Sequence, residues 1–153
     1  MTTSLDKIVS AANRSRHATD CGTQMHERLG RITIDAGRVV SGDAQLAAHI
    51  CTRADIASFF GPDSKREYPV AAYLGDRLVS RRLDRVCIDP DTKTVRILDY
   101  KTDVDKFTLR HKYVAQMREY VAIMRKIYPG YRVRAHILWT HDWTLEQVCG
   151  DGE

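Results

Sequence analysis

The stretch VRILDYKTD, residues 95–103, is the centre of the predicted fold because it joins an apolar strand to two charged side chains. Side chains two apart on a strand share a face, so Asp99 and Lys101 point the same way as Val95 and Ile97. A carboxylate and an ammonium at the end of such a face belong either to a solvated salt bridge or to a functional site. On this stretch alone, the solvated strand end is favoured.

The segments before this strand predict two further strands. Residues 66–74, REYPVAAYL, and residues 77–88, RLVSRRLDRVCI, flank a Gly-Asp turn, which is typical of a β-hairpin. The polar turn DPDTKT, residues 89–94, then leads into VRILDYKT. Three strands at hairpin spacing predict an antiparallel meander.

A long helix and one more strand follow the meander. Apolar side chains between Thr108 and Tyr128 recur at helical spacing until a Pro-Gly pair ends the helix. Residues 131–140, YRVRAHILWT, form the last predicted strand, and the crossover helix places it parallel to an earlier one. The sequence therefore predicts an α/β fold, in which a mixed β-sheet is flanked by helices.

The first third of the chain predicts several helices. A short helix is expected after Ser4, Asp20 is the candidate cap of a second helix, and Asp43 is the candidate cap of a third. ADIASFFG, residues 54–61, predicts a short helix that a Gly-Pro pair ends. The apolar stripes of the two capped helices are Gly22, Met25, His26, Leu29 and Ile32, and then Leu46, Ala47, Ile50, Cys51 and Ala54.

Composition bounds the class of protein. With 153 residues, one domain over residues 1–153 is expected, and the formal net charge of +4 is compatible with a polyanionic partner. The chain has no apolar run of membrane-spanning length and no signal-peptide pattern at its start, so a cytoplasmic location is expected. The cysteines form no C-x-x-C pair and are expected to be free thiols; they are Cys21, Cys51, Cys87 and Cys149.

A second carboxylate lies on the strand before VRILDYKT. If the hairpin register allows, Asp84 approaches Asp99, and two such carboxylates repel unless a cation lies between them. Mg²⁺ favours one or two carboxylates together with water and phosphate oxygens. Lys101 would then orient the attacking water or stabilise negative charge on a phosphate. The three residues form a plausible phosphodiester-cleaving set that is weakly specific by itself.

Three further features bear on this hypothesis, and each has a structural alternative. His26 lies on the apolar face of its helix, where a histidine is either a satisfied core residue or a metal ligand. Gln116 and Tyr120 are neighbours at i and i+4 on the long helix, and they are otherwise explained as part of the core stripe. Glu67 precedes a strand, where a solvated charge is the favoured interpretation.

The ordered motifs resemble the RecB-like branch of the PD-(D/E)xK nucleases, and most closely the C-terminal nuclease domain of AddA-type helicase–nucleases. The likeness runs from about Gly22 to Trp139, within an expected core of about 18–140. It implies a restriction-endonuclease-like core and a Mg²⁺-dependent DNA exonuclease, with Mn²⁺ as a possible substitute, that acts in recombination and double-strand-break repair. The motifs, in order, are GTQMHERL, REYPV, RRLDRV, VRILDYKT, QMREYVAIMRKIYPG and VRAHILWT.

The resemblance also implies roles for individual residues. His26, Asp84 and Asp99 match metal ligands, and the backbone carbonyl of Tyr100 matches a further one. Lys101 matches the catalytic lysine.

Other positions match supporting roles. Gln116 and Tyr120 match the Gln-x-x-x-Tyr signature, which supports the site and the DNA path, and Glu67 lies near an acidic position of some members. Arg82 and its neighbours occupy a region where relatives often have glycine, and this departure leaves the approach of DNA uncertain. The basic residues near the site have two interpretations, contact with phosphates or ordinary solubilising surface charge, and the second is favoured for any single one of them; they are Arg81, Arg82, Arg85, Lys101, Lys106, Arg110 and Lys112.

Three classes of function follow. The first is the Mg²⁺-dependent DNA nuclease, either excised from or related to a larger enzyme, because no Walker-type motor motif occurs in the sequence. Its expected partners are DNA and a helicase motor region or partner subunit, with no membrane. The second is a non-catalytic DNA-binding or assembly module that retains the nuclease fold. The third is a small globular domain in which every motif residue is structural.

Overall fold

The computed structural model describes residues 22–150. The helix predicted after Ser4 and the cap predicted at Asp20 lie outside this range. Helix α1 covers residues 22–30. The other helices are α2 (Ala44–Cys51), α3 (Ala54–Ala57) and α4 (Lys106–Ile127); the strands are β1 (Thr33–Asp35), β2 (Arg38–Ser41), β3 (Lys65–Leu74), β4 (Arg77–Asp89), β5 (Thr94–Lys101), β6 (Arg132–Trp139) and β7 (Thr144–Gly150).

A five-stranded mixed sheet in the order β3-β4-β5-β6-β7 is the centre of the fold. Strands β3, β4 and β5 form the predicted antiparallel meander, and β5 pairs with β6 in parallel after the α4 crossover. Strand β7 returns antiparallel to β6. The α/β class and the mixed sheet flanked by helices are therefore confirmed.

The alternation of side chains along β5 separates two cores. Val95 and Ile97 point to the side covered by α4, where they pack with Trp139. Leu98 and Tyr100 point to the opposite side, which is covered by the first three helices. Because Asp99 and Lys101 continue the alternation of Val95 and Ile97, the two charged side chains face α4. Within residues 22–150, no helix is both long and apolar enough to cross a membrane.

Helix α1 and the hairpin after it differ from the sequence prediction. Helix α1 ends at residue 30, and Ile32 is fully buried outside the helix, although its spacing from Leu29 imitates a helical stripe. The β1–β2 hairpin follows it and was not predicted, because its strands are short and β2 is exposed along its length.

Strand β7 was also missed, so the sheet extends beyond the predicted core boundary at 140. At its end, Gly150 has φ of +134°, and an added Cβ would lie 2.5 Å from the carbonyl oxygen of Val133. Only glycine allows this close approach of two strands. The sequence of a strand shows little alternation of apolar and polar side chains when its burial depends on a neighbouring strand.

The cap of α2 provides a stability prediction. Asp43 accepts a hydrogen bond from the backbone N–H of Leu46 at 2.9 Å, as its position before the helix predicted. We expect Asp43→Ala to lower the free energy of unfolding by about 1 kcal/mol, because an N–H of the first turn loses its acceptor. Urea denaturation of both proteins measures the change. Asp43→Asn is the control, because it retains a capping oxygen, and equal losses in both variants would contradict the capping role.

Candidate functional site

The site lies where β4 and β5 separate. Their pairing ends at Arg85 and Leu98, so Asp84 and Asp99 occupy the next register position, where the ladder is no longer formed. There the Oδ2 atom of Asp84 accepts a hydrogen bond from the backbone N–H of Tyr100 at 2.9 Å. The Asp84 side chain thus takes the place of a ladder carbonyl, and the register brings together the two strands that carry the carboxylates.

Strand β4 is distorted at Asp84. On a regular strand, residues 83 and 85 would share a face. Instead, Leu83 packs in the core beside α4, whereas Arg85 bonds to the Tyr100 hydroxyl in the opposite core. On β3, Glu67 lies between the residues that pair with these two positions, and it has a φ of +48°. Non-glycine residues seldom adopt this backbone conformation, and it is enriched at functional sites.

His26 of α1 contacts this distorted segment. Its Nδ1 atom lies 3.5 Å from Oδ1 of Asp84, and its ring contacts the Tyr100 ring edge-on at a centroid distance of 5.4 Å. The hydrogen bond to Asp84 raises the pKa of His26, with burial acting in the opposite direction. The two residues that the sequence placed on separate elements are therefore neighbours.

Asp99 and Lys101 form a largely buried pair. The Lys101 ammonium lies 2.7 Å from Oδ2 of Asp99, and the side chains are 13% and 6% exposed, respectively. The contact has the distance of an ion pair but not the geometry of a hydrogen bond, so this Asp99 oxygen is buried without a hydrogen-bond donor. Burial, followed by the negative charge of Asp84, raises the pKa of Asp99 to about 6, although Lys101 acts in the opposite direction. The two nearby carboxylates therefore oppose each other's ionisation, and a bound cation would relieve this repulsion.

Helix α4 holds Lys101 from the other side. The ammonium donates to Oε1 of Gln116 at 3.0 Å, and the Nε2 atom of Gln116 donates to the Tyr120 hydroxyl at 2.8 Å. Lys101 also lies 4.2 Å from the centre of the Tyr113 ring. Burial, together with the charges of Asp99 and Asp84, raises the pKa of Tyr120 to about 12, so its hydroxyl stays protonated. The Gln116–Tyr120 pair thus fixes the position of the lysine.

The chemistry of these donors fits a hard divalent cation. Asp84 and Asp99 supply carboxylate oxygens, which are the ligands that such a cation prefers, and His26 lies beside Asp84. The N–H and C=O of one strand residue point to the same edge, so the Tyr100 carbonyl faces the same side as the N–H that Asp84 accepts. In the part of the chain described, however, no group of three or more His, Cys, Asp or Glu side chains has the arrangement of a metal site. Instead, His26 pairs with Asp84 and Lys101 pairs with Asp99. The metal ligands therefore remain a prediction.

The rim of the site carries the two remaining predicted residues. Glu67 and Arg82 form an exposed ion pair with a distance of 3.8 Å. Glu67 and His26 also line an open cleft of about 530 Å³ between α1 and β3, to which Arg31 and Arg66 contribute their side chains. The cleft provides a solvent-exposed approach to His26.

The basic residues near the site do not all face solvent. Arg85 is only 2% exposed, so the interpretation that it contacts phosphate is wrong. Arg81 forms two hydrogen bonds with Glu119 of α4. Lys106 and Arg110 are paired with Asp142 and Glu146, respectively.

Sequence reasoning missed two residues beside Lys101. Tyr113 covers the ammonium, and its hydroxyl donates to Asp103 at 2.6 Å. Their positions in the sequence indicated both as candidates for the site, because Asp103 ends the stretch VRILDYKTD and Tyr113 lies three residues before Gln116 on the same helix. Among the described cysteines, Cys51 and Cys87 are free thiols, as predicted.

Two comparisons with known proteins give no match, so a function is proposed from the geometry of the site. No family model matches the chain, and a search of curated proteins also finds no match.

Proposed function

We propose that this protein is a Mg²⁺-dependent DNA nuclease that hydrolyses phosphodiester bonds. The observation that supports this proposal best is the convergence of Asp84 and Asp99 at the end of the β4–β5 ladder, with Lys101 beside Asp99 and His26 beside Asp84. These residues come from three elements of the fold, and the family resemblance implies that all four act in one metal-dependent reaction. The Tyr100 N–H and the Lys101 ammonium each contact one oxygen of a carboxylate, which leaves further carboxylate oxygens for a metal ion.

The proposed roles follow from the contacts. Asp84, Asp99, His26 and the Tyr100 carbonyl would hold the metal ion. When bound, Mg²⁺ supplies Lewis acidity and lowers the pKa of a water molecule. Lys101 holds a positive charge beside Asp99, where it can orient the nucleophile or stabilise negative charge on the phosphate in the transition state.

Other residues restrict how Lys101 moves. The Oε1 atom of Gln116 accepts a hydrogen bond from the ammonium, and the Tyr113 ring covers another side of it. A lysine restricted in this way loses less conformational entropy when the transition state forms. The exposed Arg82 and Glu67 at the rim belong to the proposed DNA path.

The resemblance to AddA-type domains supports a more specific assignment. In this assignment the protein is an exonuclease domain with a restriction-endonuclease-like core. It acts in the cytoplasm during recombination and double-strand-break repair. DNA is the proposed partner, together with a helicase motor region or a partner subunit.

A direct cleavage assay tests the proposal. Single-stranded and duplex DNA are incubated with the protein and Mg²⁺, Mn²⁺ or EDTA, and the products are separated on denaturing gels. Cleavage is expected with either metal and is expected to stop in EDTA, because the carboxylates alone cannot activate water. Cleavage that continues unchanged in EDTA would contradict the metal-dependent mechanism.

A non-catalytic DNA-binding or assembly module is the second candidate. Two observations favour it: His26 and Lys101 already occupy positions beside the two carboxylates, and among residues 22–150 no group of three or more His, Cys, Asp or Glu side chains could hold a metal ion. This candidate predicts DNA binding without cleavage and no heat on titration with Mg²⁺ or Mn²⁺. Metal-dependent cleavage that is lost in Asp99→Ala excludes it.

A further inference from the structure

Arg85 is a buried cation whose hydrogen bonds join α1 to the sheet. It is 2% exposed, and its guanidinium lies 4.3 Å from the centre of the Phe60 ring. Its Nε atom donates to the Tyr100 hydroxyl at 2.9 Å, and its Nη1 atom donates to the Ser64 hydroxyl. Its Nη2 atom faces three backbone carbonyls at the end of α1; they belong to Leu29 (3.1 Å), Gly30 (3.4 Å) and Ile32 (3.3 Å).

These contacts cap α1 at its C-terminal end. The last carbonyls of a helix have no partner within the helix, and the macrodipole favours a positive charge near them. Arg85 provides both a donor and a charge at residues 29 and 30, one turn after His26. Its other end bonds to the side chain of Tyr100, whose ring touches the His26 ring.

The position of Arg85 directly after Asp84 links the end of α1 to the site. Asp84 precedes it directly, and the distortion of β4 turns the two side chains in different directions: Asp84 towards the Tyr100 N–H and Arg85 towards α1. One short segment therefore places a carboxylate of the site and also fixes the helix that carries the imidazole. A lysine has one compact donor group and cannot reproduce these divergent contacts.

We propose that Arg85 is a positioning residue, which holds α1 against β5 so that His26 reaches Asp84. This inference rests on the proposed function as far as metal binding is concerned, whereas the docking of α1 can be measured without any metal. Its effect on the metal would act through His26 and not through contact with the metal.

The experiment compares Arg85→Lys with a closely matched control. Arg96 likewise places its guanidinium 4.3 Å from a phenylalanine ring, that of Phe59, and bonds to a serine hydroxyl and a carbonyl, but it does so away from α1. Tyr100→Phe, a milder variant, removes one acceptor of Arg85 and retains the backbone of the site. Amide hydrogen exchange of α1 and α4 is measured in EDTA, and Mn²⁺ affinity is measured by calorimetry.

Arg85→Lys is expected to speed exchange in α1 by about tenfold or more relative to Arg96→Lys, with α4 unchanged, because charge-assisted hydrogen bonds are lost. Mn²⁺ affinity is expected to fall by about 10–100-fold, as for partners that orient a metal ligand. In a His26→Ala background, the same change is expected to alter affinity by less than about twofold, since Arg85 acts through His26. Tyr100→Phe is expected to change α1 exchange in the same direction by a smaller factor.

The two proposals can fail separately. If wild type binds Mn²⁺ and Arg85→Lys changes neither its affinity nor the exchange of α1, the positioning role is overturned and the nuclease proposal stands. If wild type binds no Mn²⁺, the nuclease proposal fails, and α1 exchange in Arg85→Lys and Tyr100→Phe still decides the role of Arg85. Equal losses of Mn²⁺ affinity in the wild-type and His26→Ala backgrounds would also overturn the action through His26.

Discussion

Lys101→Met is expected to reduce metal-dependent DNA cleavage by about 10²–10³-fold, the range seen when a preorganised electrostatic group is removed from an active site. Methionine retains most of the apolar length of lysine but has no charge and no proton to donate. The ammonium lies 2.7 Å from Asp99 and 3.0 Å from Gln116, so its removal takes away the cation nearest the carboxylates. Initial rates on labelled DNA, with saturating Mg²⁺, measure the change.

Lys106→Met is the matched control for this prediction. The Lys106→Met substitution changes the net charge by the same amount, but the Lys106 ammonium is paired with Asp142 and bonded to Thr144 outside the site. Its cleavage rate is expected to stay within a few-fold of wild type, because a single charge outside the site affects DNA affinity weakly at moderate salt. Circular dichroism checks that both variants are folded. Equal rates for wild type and a folded Lys101→Met would contradict the assigned role of the lysine.

Asp99→Asn is expected to abolish cleavage and also to stabilise the metal-free protein at pH 8. Burial and the charge of Asp84 raise the pKa of Asp99 to about 6, so the folded protein disfavours the ionised carboxylate. Ionisation of this group above about pH 6 therefore costs stability in the folded state. Asparagine avoids this cost because it stays neutral at every pH. Urea denaturation in EDTA is the measurement.

The pH dependence has a definite sign. Between the ordinary pKa of 3.8 and the raised value of about 6, the folded state binds more protons at Asp99 than the unfolded state does. Stability therefore falls as pH rises through this range, and it falls less in Asp99→Asn. His26 adds a separate decrease at higher pH, because its raised pKa gives a contribution that is present below 6.5 and lost as pH rises through the folded value.

Asp89→Asn is the control with the opposite sign. Hydrogen bonds from Thr92 lower the pKa of Asp89, so its ionised form is favoured in the folded protein. This variant is expected to gain no stability at pH 8. A decrease in stability for Asp99→Asn at pH 8 would contradict the conclusion that ionised Asp99 destabilises the fold. Mg²⁺ is expected to stabilise wild type more than Asp99→Asn, because only the wild-type carboxylate pair offers two negative ligands.

Local patterns were sufficient to predict most of the sheet. The β3–β4 hairpin, the third strand, α4 and β6 have strong alternation or helical spacing and clear turns between them, so each was predicted near its observed position. The parallel pairing of β5 and β6 followed from the crossover helix. The β1–β2 hairpin and β7 could not be predicted in this way, because β1 and β2 are short and the conformation of all three strands depends on their pairing partners.

The residues of the site could be predicted from the sequence, but their arrangement in space could not. The sequence indicated that Asp99 and Lys101 share a face, since alternation along a strand is a local property. It also placed Gln116 and Tyr120 on one side of a helix. It gave no indication that β4 would be distorted at Asp84 or that Arg85 would turn into the core, because regular alternation predicts neither.

The sequence by itself determined the meander, the crossover helix and the face on which Asp99 and Lys101 lie, because these depend on the spacing of neighbouring side chains. Only the tertiary structure decided that the β4–β5 ladder ends at Arg85 and Leu98, that Asp84 accepts from Tyr100, and that His26 reaches Asp84. These contacts join residues 13 to 58 positions apart, and they depend on how separate elements pack together. Periodicity within one element contains no information about such packing.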